Sequence, residues 1–234
     1  MSIDEKYLQT VMRTLSHDMG SALRAASGFS KLLADKYGND LDEKALEWLS
    51  LIRLEGDKAQ RQLKVLSRYA KLHGVDGLSA ACNLNDALHA AQNDVALVAR
   101  LSGCSWLTIK TTPLSSIKGS AAMWQMYFIE ILNNVTFYAF SRNAVTCSIY
   151  MEVMADSRVL VIEDDGIGLT MDEVTKATQP YRSLHSPESD ASEVHDGMGL
   201  SLAKRVVDMH HGQFIVCARP DGFSGLRVEA RLPL

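Results

Sequence analysis

The chain has 234 residues and a formal net charge of −4, with 47% hydrophobic and 22% charged residues. This composition is that of an ordinary globular protein and excludes a disordered chain, and the slight negative charge gives no support to nucleic-acid binding. No stretch approaches the roughly 18 consecutive apolar residues of a membrane helix, the N-terminus does not resemble a signal peptide, and the four cysteines lack CxxC spacing. We therefore expect a cytoplasmic protein with no membrane segment in this chain and neither a zinc ribbon nor a disulfide scaffold.

The first part of the chain has the pattern of two long helices. Residues 4–72 contain no proline, and their apolar residues recur at helical spacing on either side of a turn at 37–40. One face of the first helix carries Leu8, Met12, Leu15, Met19, Leu23, Ala26, Ser30 and Leu33. This pattern predicts a helical hairpin within a first domain spanning residues 1–75.

The predicted hairpin carries more apolar surface than two helices bury against each other. Pairing two hairpins into a four-helix bundle covers that surface, which predicts a homodimer. The alternative is a hairpin that packs on the C-terminal half of its own chain.

The second domain, residues 76–234, alternates between helix and strand patterns. Strands are predicted near 80–83, 104–111, 115–118, 144–154, 158–164, 213–219 and 224–233, and helices over 84–100, 120–139, 171–177 and 198–210. Because two strands follow each other at two places, the sheet is expected to be mixed or antiparallel. The fold class is therefore a helical hairpin followed by an α/β sandwich with a mixed sheet.

The first candidate site is His17, in the middle of the first helix. His17 lies nine residues after Leu8, so it points away from the apolar face, and Arg13, Gly20, Ser21, Arg24 and Gly28 are expected around it. A neutral imidazole is a competent nucleophile near pH 7, and Asp18 can orient its other proton. A solvated surface histidine is the structural alternative.

Two glycine-containing motifs and one polar helix face follow. The run Asp164-x-Gly166-x-Gly168 ends a strand, where a buried carboxylate can accept a hydrogen bond from an exocyclic amine, although an acidic turn looks similar. Gly197 and Gly199 open a helix, as in phosphate sites, after a lid-like loop over 179–194, although helix-start chemistry alone would also explain them. Glu130 and Asn134 lie one turn apart on an apolar helix and could hold Mg²⁺, with ordinary capping or solvent exposure as the alternative.

The order of these motifs resembles the catalytic core of a sensor histidine kinase over nearly the whole chain. LSHDMGSALRAASGFSKLL resembles the H box of phytochrome-type kinases, and ILNNVTFYA, EDDGIGL, QPYRS and DGMGLSLAKRVVDMHHGQF resemble the N, first glycine, F and second glycine boxes. The resemblance implies a Bergerat-type ATP-binding fold for residues 80–234, shared with gyrase.

The resemblance also implies roles for individual residues. It makes His17 the phosphoacceptor, Asp18 its acid/base neighbour, Asn134 the Mg²⁺ ligand with Glu130 beside it, and Asp164 the partner of the adenine amino group. Ser21, one turn after His17, corresponds to a position that orients water for dephosphorylating a response regulator. The remaining nucleotide-site residues are Gly166, Gly168, Tyr181, Arg182, Gly197, Gly199 and Leu200.

The sequence also departs from the family pattern. Ala22 stands where proline is usual, Glu130 where asparagine is frequent, Phe137 where a basic residue is usual and Ser201 where glycine is usual. The hypothesis is a protein histidine kinase that uses Mg·ATP to phosphorylate His17 and passes the phosphoryl group to an Asp of a response-regulator receiver domain. A non-catalytic phosphotransfer or scaffold protein with a degenerate ATP domain is the alternative, and an ATPase with Glu130 as base is a third.

Overall fold

A computed structural model describes residues 3–72, 80–94, 97, 101, 103–138, 144–179, 197–220 and 224–234. The chain divides into two compact units, Met1–Gly74 and Val75–Leu234. None of the described helices is long and apolar enough to cross a membrane.

The first unit is the predicted helical hairpin. Helix α1 spans Ile3–Tyr37 and helix α2 spans Glu43–Leu72. The backbone N–H of Asp40 donates to the carbonyl of Tyr37 at 2.9 Å to close the turn, and the carboxylate of Asp42 accepts the N–H of Ala45 at 2.7 Å, as an N-cap does. Helix α1 continues through Ala22 without interruption.

Small residues form the contact between the two helices. Gly56 of α2 is buried, and a Cβ atom at this position would collide with the hydroxyl of Ser27 on α1. Ser30 is also buried, and its hydroxyl donates to the carbonyl of Ala26 at 2.9 Å. Gly20, which was expected to be exposed on the outer face with His17, is buried: a Cβ atom there would lie 3.2 Å from Nη1 of Arg24, and Gly20 lines a cavity between α1 and α2.

The predicted apolar face of α1 divides into two sides in the structure. Leu23 and Ser30 lie toward the helix pair and are half-buried and buried. In contrast, Leu15, Met19 and Leu33 are 47%, 51% and 45% exposed. The first unit therefore presents an apolar stripe that its own second helix does not cover.

The second unit contains a two-stranded and a five-stranded sheet, and the predicted mixed sheet is confirmed. Strands β1 (Ala81–Asn83) and β3 (Ser116–Lys118) pair antiparallel, and the larger sheet has the order β2-β4-β5-β7-β6. In it β2 runs parallel to β4, and all other neighbours are antiparallel. The larger sheet consists of β2 Leu107–Thr111, β4 Val145–Val153, β5 Ser157–Asp164, β6 Gln213–Ala218 and β7 Leu226–Pro233.

Four helices of the second unit have defined bounds. They are α3 Leu84–Gln92, α4 Ala121–Tyr138, α5 Met171–Ala177 and α6 Gly199–Met209. The helix predicted over 84–100 is too long, because α3 ends at Gln92, Asn93 is its C-cap, and the carboxylate of Asp94 accepts the N–H of Leu97 as at a new helix start. The other predicted elements agree with the structure within a few residues.

The core of the second unit lies between the helices and one face of the sheet. Trp124, Tyr127 and Phe128 of α4 are fully buried, and the ring of Tyr127 meets that of Phe214 on β6 edge-on at 6.4 Å. A helix this apolar on all sides is stable only when it is enclosed. The strand residues on this face of the sheet are mostly apolar, and the end of β5 carries Asp164 on the same face.

Candidate functional site

The side chain of His17 is presented to solvent and is oriented by its neighbour. The side chains of His17 and Asp18 are 80% and 69% exposed, and Nδ1 of His17 lies 2.9 Å from Oδ1 of Asp18. If Nδ1 carries the proton that Asp18 accepts, Nε2 keeps the lone pair of a neutral imidazole. The arrangement leaves an accessible nucleophilic nitrogen on the outer side of α1, and Ser21, one turn further along, is also exposed.

A contact between helices α4 and α6 fixes the amide of Asn134. Asn134 is only 7% exposed, and its Nδ2 has no hydrogen-bond partner within the described part of the chain. A Cβ atom on Gly199, the first residue of α6, would lie 3.0 Å from both Nδ2 and Oδ1 of Asn134. The amide therefore lies against the N-terminus of α6, where free backbone N–H groups favour an anion.

The surroundings of this contact include the other residues predicted from the second glycine motif. Gly197 is buried and has φ +64°, a left-handed conformation that favours glycine, and Leu200 is half-buried. Glu130 lies one turn before Asn134 on α4 and is 6% exposed. The unusual Ser201 is accommodated by donating its hydroxyl to the carbonyl of Met198 at 3.0 Å.

Asp164 lies at the end of β5, on the sheet face that the helices cover. Oδ1 of Asp164 accepts the backbone N–H of Gly166 at 2.9 Å, and a carboxylate has lone pairs for further donors. Burial raises the pKa of Asp164, the charge of Asp165 acts in the same direction, and hydrogen bonds from the N–H groups of Gly166 and Leu226 oppose the increase. The site thus holds a desolvated acceptor of the kind that recognises an amine.

Two backbones approach each other closely beside Asp164. Gly168 has φ +75°, and a Cβ atom at this position would lie 2.8 Å from the carbonyl oxygen of Gly225. Gly225 has φ +129°, and a Cβ atom there would collide with the carbonyl of Asp164. The sequence interpretation missed Gly225, although the DGFSG turn before the last strand is a recognisable hairpin signal.

The topology brings the Asn134 and Asp164 groups to the same end of the second unit. At the opposite end, a cavity of about 620 Å³ is lined by Lys118 just before α4, His210 after α6, Arg158 near the start of β5 and Leu232 near the end of β7. The cavity thus marks the end of the unit where α4 and β5 begin and where α6 and β7 end. The opposite end of the unit therefore contains the opposite ends of these elements: the C-terminal part of α4, the start of α6, the end of β5 and the start of β7. Asn134, Gly199, Asp164 and Gly225 belong to those ends, whereas Tyr181 and Arg182 lie outside the described residues.

The other face of the sheet carries a charged cluster that the sequence interpretation did not include. The guanidinium of Arg227 on β7 donates to Glu229 at 2.7 Å, to Glu163 on β5 at 3.1 Å, and to Tyr150 and Glu152 on β4 at 2.6 and 3.1 Å. The side chains of Arg227 and Glu229 are only 10% exposed because the members of the cluster cover one another. The cluster ties β4, β5 and β7 together next to the Asp164 end of the sheet.

Comparison with known proteins agrees with this arrangement. Residues 121–234 match the model of the family described as histidine kinase-, DNA gyrase B-, and HSP90-like ATPase. This part of the chain is similar to the ATPase domains of that family. The match contains Asn134, Asp164, Gly199 and Gly225, and so covers both groups of site residues.

Relatives also cover the helical hairpin. The chain is 26% identical over 232 residues to the cell-division control histidine kinase PdhS of Brucella anthropi, a match that covers 94% of this chain and 21% of the relative. The chain therefore spans about a fifth of the length of this curated relative. These matches confirm the predicted resemblance to a histidine kinase catalytic core.

Solved structures show the same fold. Full-length ShkA in complex with AMPPNP has a TM-score of 0.62 and 16% identity, and the match covers 96% of this chain and 45% of that one. The Acinetobacter baumannii histidine kinase AdeS has a TM-score of 0.58 and 14% identity, with 91% and 96% covered. The helical hairpin followed by an α/β unit with a mixed sheet is thus the fold that this chain shares with these two structures.

Proposed function

We propose that the chain is the catalytic core of a two-component histidine kinase that transfers the γ-phosphoryl group of Mg·ATP to His17 and then to an Asp of a response-regulator receiver domain. In this proposal residues 1–75 are the dimerisation and phosphotransfer domain and residues 76–234 the ATP-binding domain. The observation that carries it is the exposed His17, with Nδ1 hydrogen-bonded to Asp18, in a chain similar to histidine kinases over 94% of its length.

The proposed chemistry uses the free nitrogen of His17. Nε2 attacks the γ-phosphorus, the N–P bond forms, and the bond between that phosphorus and the bridging oxygen breaks as ADP leaves. The positive charge that develops on the imidazole is relieved through the Nδ1 proton, which Asp18 accepts. The receiver Asp then attacks the same phosphorus, the N–P bond breaks, and Nδ1 takes its proton back from Asp18, so that His17 returns to the neutral state.

The nucleotide is proposed to bind at the Asp164 end of the second unit. The carboxylate of Asp164 would accept a hydrogen bond from the adenine amino group. Gly166, Gly168, Gly197 and Gly199 would allow close approach of the backbone, and Leu200 would lie beside the phosphates. We assign Tyr181 and Arg182 to the edge of the same site on the basis of the sequence resemblance. The retained Asp164 and the buried, unsatisfied amide of Asn134 favour this proposal over a degenerate ATP domain.

The residues of α4 fit a magnesium ion that accompanies the nucleotide. Asn134 and Glu130 supply amide and carboxylate oxygens, the ligands that Mg²⁺ prefers, and the buried amide of Asn134 lies at a helix N-terminus suited to phosphates. Mg²⁺ bound beside a nucleotide usually keeps several waters and is held by one or two protein oxygens together with the phosphates. The ion would neutralise phosphate charge during transfer.

We further propose that the chain is a homodimer. Leu15, Met19, Phe29 and Leu33 are exposed and, with Ala22 and Ala26 between them, follow the alternating three- and four-residue spacing of a helix-packing seam. A second copy of the hairpin offers the same stripe and would complete a four-helix bundle.

Radiolabelled ATP tests the kinase proposal. Incubation with Mg²⁺ and γ-labelled ATP is expected to give an acid-labile, base-stable label that His17→Gln removes, whereas His89→Gln, the same change at another exposed helical histidine, retains it. Asp164→Asn is expected to remove the label by preventing nucleotide binding. Label that survives His17→Gln, or label obtained only from a phosphorylated receiver domain, would contradict the kinase proposal.

Ser21 is proposed to orient water for dephosphorylation of the receiver. Its exposed hydroxyl lies one turn from His17 and can both donate and accept hydrogen bonds. Ser21→Ala is expected to remove receiver dephosphorylation and to leave labelling of His17 unchanged; equal dephosphorylation by the variant would refute the role.

A further inference from the structure

The face of α1 that carries His17 also carries a guanidinium directed toward it. Arg24 lies seven residues after His17, and at about 100° per residue the two side chains leave the helix within about 20° of each other. Side chains on a helix lean toward its N-terminus, so Arg24 leans toward His17. The two residues are separated by two turns, and Gly20 lies between them.

Gly20 leaves the space that the guanidinium uses. A Cβ atom on Gly20 would lie 3.2 Å from Nη1 of Arg24, so the guanidinium lies across the turn of α1 that has no side chain. Residues three apart on a helix have Cβ positions about 5–6 Å apart, which places the Gly20 position next to His17. The guanidinium of Arg24 therefore lies about one helical turn closer to the imidazole of His17 than the Cα atom of Arg24 does.

The guanidinium lines a cavity with anion-binding character. The cavity has a volume of about 330 Å³ and lies between α1 and α2. Its lining includes Arg24 and Arg68, has no acidic residue, and contains the hydroxyl of Ser16, which is buried without a hydrogen-bond partner in the described residues. A buried hydroxyl without a partner costs free energy, and an anionic oxygen would satisfy it. The complete lining is Ser16, Gly20, Arg24, Gln60, Leu63, Ser67 and Arg68.

The cavity is not on the side of α1 that the proposed dimer would cover. Leu15 and Leu33 of the exposed apolar stripe each lie nine residues from Arg24, which is half a rotation of the helix. A second hairpin packed on that stripe would therefore leave Arg24 and His17 accessible.

We propose that Arg24 and the hydroxyl of Ser16 form a subsite for the phosphoryl group carried by His17, with Arg68 adding positive charge from α2. This inference rests on the proposed phosphorylation of His17. The subsite holds the non-bridging phosphoryl oxygens after the N–P bond has formed, and thereby stabilises phosphohistidine relative to the free imidazole. Charge-assisted hydrogen bonds to such oxygens are among the stronger contacts in proteins.

The equilibrium between ATP and phosphohistidine tests the subsite. At a fixed ratio of ATP to ADP, Arg24→Gln is expected to lower the ratio of phosphorylated to free His17 about ten-fold, and Arg24→Lys is expected to restore part of it. Arg53→Gln makes the same change on the exposed surface of α2, outside the cavity, and is expected to stay within about two-fold of the wild type. ATP affinity by calorimetry and helicity by circular dichroism are measured for each variant to separate the subsite from nucleotide binding and folding.

A second arm uses a donor that needs no nucleotide site. Potassium phosphoramidate labels histidine directly, and the ³¹P resonance of phosphorylated His17 is expected to move in Arg24→Gln and to stay in place in Arg53→Gln. Labelling by phosphoramidate but not by ATP would refute the kinase proposal and leave the ³¹P shift to decide the subsite. Three outcomes would each overturn the proposed subsite. They are an unchanged phosphohistidine equilibrium and ³¹P resonance in Arg24→Gln, effects of Arg53→Gln equal to those of Arg24→Gln, and no labelling of His17 by either donor. Arg24-dependent binding of free inorganic phosphate with an unchanged phosphohistidine equilibrium would assign the cavity to a free anion and also overturn it.

Discussion

Substituting Gly168 by Ala tests the close approach of the two backbones beside Asp164. The added methyl group would lie 2.8 Å from the carbonyl oxygen and 3.0 Å from the nitrogen of Gly225, both of them backbone atoms that no side-chain rotation can move. Gly168 also has φ +75°, which costs an alanine about 1–2 kcal/mol. Overpacking against a rigid neighbour adds about 1–3 kcal/mol. We therefore expect a loss of about 2–5 kcal/mol in the free energy of unfolding of the second unit.

Thermal unfolding and ATP calorimetry measure this effect. For a domain of this size each kcal/mol corresponds to roughly 2–4 °C in Tm, so the expected decrease is roughly 4–20 °C. Nucleotide affinity should fall as well, because relief of the collision displaces Gly225 from the carbonyl of Asp164. Gly103→Ala is the control, since a Cβ atom there meets nothing within 4 Å. A Tm for Gly168→Ala within 1 °C of the wild type would refute the reasoning.

Two further substitutions test the apolar stripe and the charged cluster. Met19→Glu places a charge in the proposed dimer contact, so the molar mass measured by light scattering is expected to fall from that of a dimer to that of a monomer. Lys31→Glu, on the His17 side of α1, is expected to remain a dimer. A dimeric Met19→Glu variant would contradict the proposed contact. Arg227→Met leaves Glu152, Glu163 and Glu229 without their shared cation and is expected to lower the free energy of unfolding, measured with denaturant, by about 3–5 kcal/mol. The control Lys58→Met removes the exposed Lys58–Glu55 pair and is expected to cost far less. Equal costs would refute the role of the cluster.

The periodicity of the sequence predicted most of the elements because their local signals agree with the fold. Helix α5 was predicted over the residues it occupies, and it begins with a capping box in which Thr170 and Glu173 bond each other's backbone N–H. The succession of strands alone predicted a mixed or antiparallel sheet, and the sheet is mixed. For α3, by contrast, the apolar pattern continues past Gln92 and gave no sign of the break at Asn93.

The details that could not be predicted depend on which surfaces meet. The helical pattern of α1 shows one broad apolar face, and it does not reveal that Ser27 packs against Gly56 of α2 while Leu15 and Met19 stay outside. Likewise, the Arg227 cluster requires the register that places Glu163 opposite Arg227, which only the paired strands define. The sequence therefore predicted where elements begin and end better than it predicted which residues of different elements contact each other.

The carboxylate of Asp164 is expected to lower the stability of the fold at neutral pH and to favour nucleotide binding. Burial raises its pKa, so the folded state binds the proton more tightly than the unfolded state, and stability falls as the pH rises from about 4 through the folded pKa. Above that window the wild type holds a desolvated charge that Asp164→Asn lacks. We expect the nucleotide-free variant to be more stable than the wild type at pH 7, with the difference shrinking as the pH falls through the folded pKa of Asp164 toward about 4. In the variant an NH₂ group replaces one acceptor oxygen, so a single oxygen remains for the N–H groups of Gly166 and Leu226 and for the adenine amine, which should weaken ATP binding roughly 10–100-fold. Denaturant unfolding across pH and calorimetry measure the two effects, with the exposed Asp156→Asn as control. Equal ATP affinity would remove Asp164 from the adenine site, and a variant less stable at neutral pH would show that the carboxylate stabilises the fold instead of serving the ligand.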